Sequence, residues 1–343
     1  MRKMASIRRI AGIRPIPEAD NIEVARIDGW DVVVKKGEFK EGDLCVYCEI
    51  DSLLPEREEF EFMRTRKFRV KTIKLRGQIS QGLVFPLDIL PVRWNEPEPQ
   101  YWEDDDVSEI LGIIKWEPNL PAHLGGHTKG TFPGWLPKTD EERVQNIGRT
   151  LENRAGTECY ITEKLHGTSF TAYLRDNVFG VCSRNQEKKD EPGCLYWETA
   201  KKQNIEAMLR KVSDLTGIKN VACQGELCGP GINKNTLKLK DNQIFMFDLF
   251  DIDKYEYFDF GEISDMCYCI DILQWVPFVR FGGYKIGVHT VQELVALADK
   301  QKSILNPDVM CEGFVYREWD AKAPSRLSFK VINNTFLLKC GDA

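Results

Sequence analysis

The sequence predicts an α+β chain: a small OB-like β-barrel placed before a larger domain of antiparallel sheets with flanking helices. Three features carry the prediction. The first hundred or so residues hold short strand-like runs separated by turn signals. A stretch rich in Pro, Asn and Glu then breaks the pattern. From Thr157 onward, strand-like and helical runs mix without the regular alternation of a doubly wound sheet. With 343 residues, each part is long enough to bury its own core. The expected division is a nucleic-acid-binding barrel over 1–110, a linker over 111–135 and a second domain over 136–343.

In the barrel region the strand-like runs are IEVARIDGWDVVVKKG, GDLCVYCEID, FRVKTIKLRG and GLVFPL. Asp28-Gly29 and Lys36-Gly37 supply turns at the spacing of a small all-β barrel. Such barrels offer a face and loops to single strands or tRNA-like shapes. Between Arg64 and Arg76 the chain reads RTRKFRVKTIKLR, placing Arg64, Arg66, Lys67, Arg69, Lys71, Lys74 and Arg76 in one run without an acid. That run either meets a phosphate backbone or forms a solvated strand pair. Acids gather instead in EPEPQYWEDDDVSE, around Asp104, Asp105 and Asp106, and read as a solvated linker. Pro91 to Pro99 reads as a domain boundary.

A formal net charge of −6 argues against nonspecific attraction to nucleic acid, while leaving room for a local basic surface. No apolar run is long enough to cross a bilayer, and MRKMASIRRI carries charges without the apolar stretch of a signal peptide. A soluble cytoplasmic protein with no membrane partner, acting as a monomer, is expected. The eleven cysteines follow no regular framework and suit reduced thiols. Cys45 and Cys48 form a CxxC without a second Cys or His pair nearby, so half-buried strand cysteines are expected there in preference to a metal or redox site. His123 and His127 lie in a Gly-rich loop, and His289 stands alone.

In the second domain the strand-like runs are CYITEKL, SFTAYLR, GVCSR, VACQGELC, QIFMFDLFDI, EGFVYR and LSFKVI. Helical periodicity fits NIEAMLRKVSDLTG and TVQELVALADKQ. Thr139, followed by acids and by Glu142 three residues on, resembles a further helix start. There is no GxxxxGK[ST], no GxGxxG after a strand and no GxSxG. What remains is a set of polar clusters in apolar strands: Lys164 with His166 and Gly167; Ser183-Arg184-Asn185; Gly225-Glu226; Glu312-Gly313; and Lys330. Each alone reads first as a surface residue, but together they suit phosphoryl chemistry. A lysine attacks phosphorus only as the free amine, so a depressed pKa is expected, from desolvation or a second cation such as Lys330. Cations spread charge off a triphosphate, and glutamates hold a divalent ion or a ribose hydroxyl.

The order and wording of these clusters resemble the covalent nucleotidyltransferases, the superfamily of ATP-dependent DNA and RNA ligases and mRNA capping enzymes, whose first motif is KxDG or a close variant. Here Lys164-Leu165-His166-Gly167-Thr168-Ser169 has histidine at the aspartate position, which is similar to nick-sealing RNA ligases. Ser183-Arg184-Asn185 resembles motif Ia, Gly225-Glu226-Leu227 motif III, and Phe245-Met246-Phe247-Asp248 motif IIIa. Glu312-Gly313 resembles motif IV and Ser328-Phe329-Lys330 motif V. With an OB-like domain in front, the layout is similar to the Deinococcus-type RNA ligases, which join 3′-OH and 5′-phosphate ends and need the N-terminal domain for sealing.

The resemblance implies an ATP-dependent RNA ligase that seals nicks in duplexes held by a complementary strand, in RNA repair. It implies that Lys164 takes AMP from ATP as lysyl-AMP, with Mg2+ or Mn2+ bound by Glu312. The backbone of Glu163 and Leu165 would lie near the adenine, with His166, Gly167 and Ser169 beside the nucleotide. Arg184 and Glu226 would contact the ribose, Phe247, or Phe245 on the same strand face, would stack on the base, and Lys330 would touch the α-phosphate. Two departures stand out. His166 removes a carboxylate, and the histidine-bearing ligases suggest that it assists the first step instead. Ser328 stands where motif V commonly has a lysine, leaving Lys330 alone unless Arg326 or Lys339 substitutes.

Lys234, Lys238 and Lys240, in GPGINKNTLKLK, either track a nucleic-acid backbone or form a solvated turn. Lys138 and the run Arg143 to Asn146 either meet nucleotide or RNA or have no specific role. Two rival functions share the same motifs. A capping-type guanylyltransferase would prefer GTP, and its usual OB domain follows the catalytic one. A noncatalytic RNA-binding protein with a degenerate transferase domain would account for Ser328.

Overall fold

The central strand of the N-terminal unit is hidden in the sequence by its arginines. β1 (Ala5–Pro15) buries Ala5, Ile7 and Ile10, while Arg8 and Arg9 pair with Asp104 and Glu103. Around it lie β2 (Ile22–Ile27), β3 (Trp30–Lys35) and β4 (Leu44–Cys48). After the two-residue β5 (Ser52–Leu53) and the hairpin of β6 (Thr72–Leu75) with β7 (Gln78–Gln81) comes β8 (Leu83–Phe85). Antiparallel pairing in the order β3-β2-β1-β4-β8 makes the five-stranded sheet of the predicted OB-like barrel. The β2–β3 turn works as its residues require, with Asp28 at φ 49°, in the left-handed region that Asp tolerates.

The computed structural model describes residues 2–92, 100–117, 122–270, 274–320, 322 and 325–340. The chain divides into two units, Met1–Pro118 with Leu337–Asp342, and Asn119–Phe336. In the first, alternate residues of β4 enter different cores. Cys45 and Tyr47 pack with Trp30, whereas Val46 and Cys48 pack with Phe60 and Met63. The two thiols of the CxxC therefore point to opposite faces of one strand and cannot share a metal, and burial pushes Cys45 up to about 12. All eleven cysteines are free thiols.

The acidic run is not a solvated linker. Ile7 donates its N–H to the Asp105 carbonyl at 3.0 Å and Val107 donates to Ala5 at 3.0 Å, so residues 104–107 lie along β1. They lead into the one-turn α1 (Ser108–Leu111) and β9 (Ile114–Lys115), which pairs with β5. Most of the boundary expected at Pro91 to Pro99, residues 93–99, falls outside the described residues.

The second unit begins with α2 (Ala122–Gly125), β10 (Thr128–Thr131), β11 (Glu142–Arg143) and α3 (Gly148–Asn153). Next come β12 (Glu158–Lys164), β13 (Thr168–Arg175), β14 (Val178–Cys182) and β15 (Gln186–Lys188), then α4 (Leu195–Lys202), α5 (Ile205–Thr216), β16 (Val221–Cys228), β17 (Gln243–Asp251) and β18 (Glu256–Tyr257). The chain continues through α6 (Phe260–Cys269), β19 (Phe278–Lys285), α7 (Val291–Ala298), β20 (Gly313–Glu318), β21 (Ser328–Ile332) and α8 (Asn334–Cys340). One sheet has seven strands, in the order β10-β15-β14-β13-β16-β17-β18; the other has five, β11-β21-β20-β12-β19. All pairings in these two sheets are antiparallel except β11 with β21, which fits the expected α+β class.

Both predicted helices are present. α5 is closed by Gly217 at φ 74°, and α7 opens with a capping box of Thr290 and Glu293. No helix starts at Thr139. Glu142 and Arg143 instead pair with Phe329 and Lys330 of β21, and a strand partner outweighs the capping signal. No described helix is long and apolar enough to cross a membrane.

Candidate active site

Strand register brings the polar clusters together. Lys164 ends β12 directly opposite Gly313, the first residue of β20, so Glu312 stands at its side. Lys164 Nζ donates to Glu312 Oε2 at 2.8 Å. Gly313 has to be glycine, because a Cβ there would come within 2.1 Å of the Val331 carbonyl on β21. In the other sheet Ser169 of β13 pairs with Glu226 of β16, and the Glu226 carboxylate accepts the Gly167 N–H at 3.0 Å. The Gly167 carbonyl accepts from the Asn233 side chain at 2.5 Å. A Cβ on Gly167 would sit 2.4 Å from the Leu227 carbonyl and 2.6 Å from Cys228 Sγ.

The electrostatics correct one expectation. Burial alone would lower the Lys164 ammonium, and Arg143 works in the same direction. The Glu312 and Glu226 carboxylates outweigh both, and Lys164 lies above its ordinary value. The free amine expected from desolvation or from Lys330 is absent here; the lysine is a held cation. Burial opposes ionisation of Glu312, yet Lys164 and His166 bring it down to about 2. Burial pushes Glu226 up to about 7, with Glu312 adding to the rise and Lys164 and the Gly167 N–H opposing it.

His166 places Nδ1 3.6 Å from Glu312 Oε2 and its ring edge-on to Phe336, while Nε2 is buried with no hydrogen-bond partner among the described residues. The Glu163 carboxylate points away from the lysine and accepts the Ile304 N–H at 2.8 Å. Leu165 is buried in a cluster with Phe245 and Leu237, against which Phe247 packs. Between β16 and β17 the register runs Gly225 to Met246 and then Gln224 to Asp248, so Phe247 is the extra residue of a bulge. Phe245 is fully buried and Phe247 only half so, which leaves Phe247 as the ring able to meet a ligand.

Arg184 pairs with Asp140 at 2.7 Å, and Lys330 Nζ lies 3.8 Å from the other Asp140 oxygen. Arg326 does not substitute for the lysine missing at Ser328. It is buried, paired with Asp248 at 2.6 Å and stacked on the Tyr257 ring. Lys339 belongs to the other unit. The cation that stands beside Lys330 is Arg143, its partner in the parallel register. Lys234, Lys238 and Lys240 are exposed, on a loop where Asn233, Lys234 and Asn235 all have positive φ.

In the N-terminal unit the basic run is only partly available. Arg69 is buried, paired with Asp51 at 3.0 Å and laid over the Trp116 ring, so it is a structural residue and not a phosphate contact. Arg64 is exposed but pairs with Glu61 and Glu56; Arg66, Lys67, Lys74 and Arg76 are exposed and Lys71 is half-buried.

An OB-fold domain profile matches residues 4–87, and the RNA ligase family profile matches residues 157–332. The chain belongs to the RNA ligase family. Among solved structures, a Naegleria gruberi RNA ligase carrying a lysine-to-alanine mutation, with ATP and Mn, is 36% identical with a TM-score of 0.89, covering 99% of this chain and 100% of that one. A glutamate-to-alanine mutant with AMP and Mn is 37% identical with a TM-score of 0.89, covering 100% of both chains. The same ligase with PPi matches with 37% identity, a TM-score of 0.89 and 100% coverage of both chains. No curated protein matches the chain.

Motif spacing did not single out several residues around the ligase's site: Asp140, Asn233 and Arg317, together with any definite role for Arg143. For Arg317 there was a signal, an arginine inside the apolar run GFVYRE, which a buried strand tolerates only with partners. Among the described residues, no group of three or more His, Cys, Asp or Glu is disposed to hold a metal ion. Glu312 and Glu226 nonetheless offer oxygen donors of the kind Mg2+ and Mn2+ take when one or two carboxylates share the ion with waters and substrate phosphates. The tight fit of Gly167 gives a first prediction. Gly167→Ala must push β13 from β16, at ~1–3 kcal/mol for an overpacked site, and labelling of the protein by radioactive ATP is expected to fall at least about tenfold.

Proposed function

We propose that the ligase joins 3′-OH and 5′-phosphate RNA ends at nicks in a duplex, in RNA repair, as the Deinococcus-type RNA ligases do, using ATP as the AMP donor with Mg2+ or Mn2+. The observation that carries this reading is the contact between Lys164 and Glu312, where the motif-bearing strands β12, β13, β16, β20 and β21 come together. In the first step Lys164 Nζ forms a bond to the α-phosphorus of ATP, the bond to the β-phosphate bridging oxygen breaks, and pyrophosphate leaves. A 5′-phosphate oxygen of RNA then displaces the lysine to give an RNA-adenylate. Attack of the 3′-OH on the 5′-phosphorus closes the phosphodiester and releases AMP.

The chain's own residues fit these steps in order. Lys164 must lose its proton before it attacks, so the Lys164–Glu312 pair has to open first. A divalent cation bound at Glu312 would neutralise that carboxylate and spread the charge developing on the phosphate oxygens. With the pair open, burial and Arg143 both favour the free amine. Lys330, with Arg143 beside it, would meet the α-phosphate, and Arg184 and Glu226 would meet the ribose. Phe247 would stack on the base, and the buried Nε2 of His166 gives the nucleotide one further polar partner in the first step. Glu163, Leu165 and Ser169 line the same turn. Exposed cations of the N-terminal barrel, together with Lys234, Lys238 and Lys240, supply sequence-independent phosphate contacts to the duplex.

The test is labelling followed by sealing. ATP with Mn2+ is expected to label the protein and GTP not to; a nicked RNA duplex should then be sealed, and sealing should be lost without the complementary strand. Labelling by GTP in place of ATP, or labelling without sealing of any nick, would overturn the reading.

The raised Glu226 gives a pH prediction. Its carboxyl is protonated in the folded protein up to about 7, whereas an unfolded glutamate ionises near its ordinary 4.5, so charging it as pH rises through that window removes stability. The thermal midpoint is expected to decline between about pH 4.5 and 7 in the wild type. The decline should be shallower in Glu226→Gln, whose amide imitates the neutral acid.

A further inference from the structure

Behind Phe247 lies a buried ion network of which the ligase motifs contain only Asp248. Arg317, on β20, is 2% exposed at its side chain, and Asp248, on β17, is 1% exposed. Arg317 Nε is 3.4 Å from Asp248 Oδ2, while Arg326 holds the other Asp248 oxygen at 2.6 Å. Arg317 Nη1 donates to Thr162 Oγ1 of β12 at 3.1 Å, and Nη2 pairs with Glu141 at 3.3 Å. Two directions of its fork are hydrogen-bonded, to Thr162 and Glu141, and the third faces the Asp248 carboxylate, so three chain segments surround it. The guanidinium carbon stands 5.1 Å from the centre of the Phe247 ring.

Two features of this arrangement ask for a reason beyond stability. Burying guanidiniums and a carboxylate commonly loses as much in desolvation as it gains in attraction, so an apolar set of the same volume would hold the two sheets equally well. The network also joins the strand that ends in Lys164, through Thr162, to the bulged strand that carries Phe247, through Asp248. A bulge gives a side chain freedom, and a cation fixed on one face of the ring takes that freedom away.

We propose that Arg317 is a positioning residue for the nucleotide base. Held by Asp248, Glu141 and Thr162, it fixes the Phe247 ring from one side and leaves the other to the adenine, at a set distance from Lys164. This rests on the reading that Phe247 stacks on the base. A planar guanidinium suits the task because it meets a ring and a fork of acceptors together, which an ammonium does not.

The experiment separates the base from the phosphates. The initial rate of labelled-protein formation from ATP, read before added pyrophosphate can discharge the adduct, is inhibited in one arm by AMP, which has a base, and in the other by inorganic pyrophosphate, which has none. Arg317→Met is expected to raise the KM for ATP and the inhibition constant of AMP by about tenfold, as loss of a desolvated cation–ring contact would. Inhibition by pyrophosphate and the rate at saturating ATP should stay within about threefold, and Arg317→Lys should fall between. Should Arg317→Met not fold, Glu141→Gln and Thr162→Val each loosen one hold on the guanidinium and are expected to shift AMP in the same sense by about threefold. Equal weakening of AMP and pyrophosphate, or no change in either, would overturn the proposal. Phe247→Ala in the same assay distinguishes the failures. If it leaves AMP unaffected, base stacking itself is wrong; if it weakens AMP while the other variants do not, the role of Arg317 alone is wrong.

Discussion

Lys164→Ala is expected to leave no nucleotide on the protein after incubation with α-labelled ATP and Mn2+. Of the described lysines, only this one has its Nζ hydrogen-bonded to Glu312, at 2.8 Å, beside a glycine turn that Glu226 grips from the opposing sheet. Alanine removes the nitrogen that would form the bond to phosphorus. Lys164→Arg should fail equally, because a guanidinium stays charged at any usable pH and is a poor nucleophile. Sealing of RNA ends that are already adenylylated should survive in both variants, since the last step draws on the RNA 3′-OH and not on the lysine. Gel detection of labelled protein and of sealed product checks the two halves separately. A labelled Lys164→Ala protein would remove the lysine from the mechanism.

Glu312→Gln is expected to lower the rate of protein labelling by about 10^2–10^3-fold, the usual loss when one group aimed at developing phosphate charge is removed. Two effects oppose each other here. The neutral amide no longer holds Lys164 as a cation, which frees the amine and favours attack. It also removes the carboxylate that stays ionised down to about pH 2 and is the strongest oxygen donor beside the lysine. The second effect is expected to dominate, because a free amine without charge stabilisation on the phosphate still faces most of the barrier. Single-turnover labelling across pH 6–9 separates them. The variant should be slower throughout, yet reach its plateau at lower pH than the wild type. A variant faster than the wild type would mean that Glu312 only restrains the lysine.

The OB-like barrel and the order of the transferase strands were legible because local patterns carried them: Asp28-Gly29 between alternating runs, and apolar stretches ending in Lys164, Glu226 and Lys330. The least legible strand was β1, where Arg8 and Arg9 interrupt the apolar pattern and their partners, Asp104 and Glu103, lie far along the chain. Thr139 shows the same limit from the other side, since a sound capping signal lost to a strand partner at Phe329 and Lys330.

Within the site, which residues gather was legible from motif order, but their electrical state was not. The charge on Lys164 depends on Glu312, 148 positions along the chain. Whether Arg326 was free to serve beside Lys330 depended on Asp248, and whether Arg69 could touch phosphate depended on Asp51 and Trp116. These are facts of burial and pairing between distant segments. Spacing along one chain does not encode them.

Peptide mapping of the wild-type protein after incubation with ATP and Mn2+ tests the central claim most directly. Lys164 is expected to carry AMP, and the adduct should disappear when pyrophosphate or 5′-phosphorylated nicked RNA is added. AMP on a different residue, or an adduct on Lys164 that neither pyrophosphate nor RNA discharges, would contradict it.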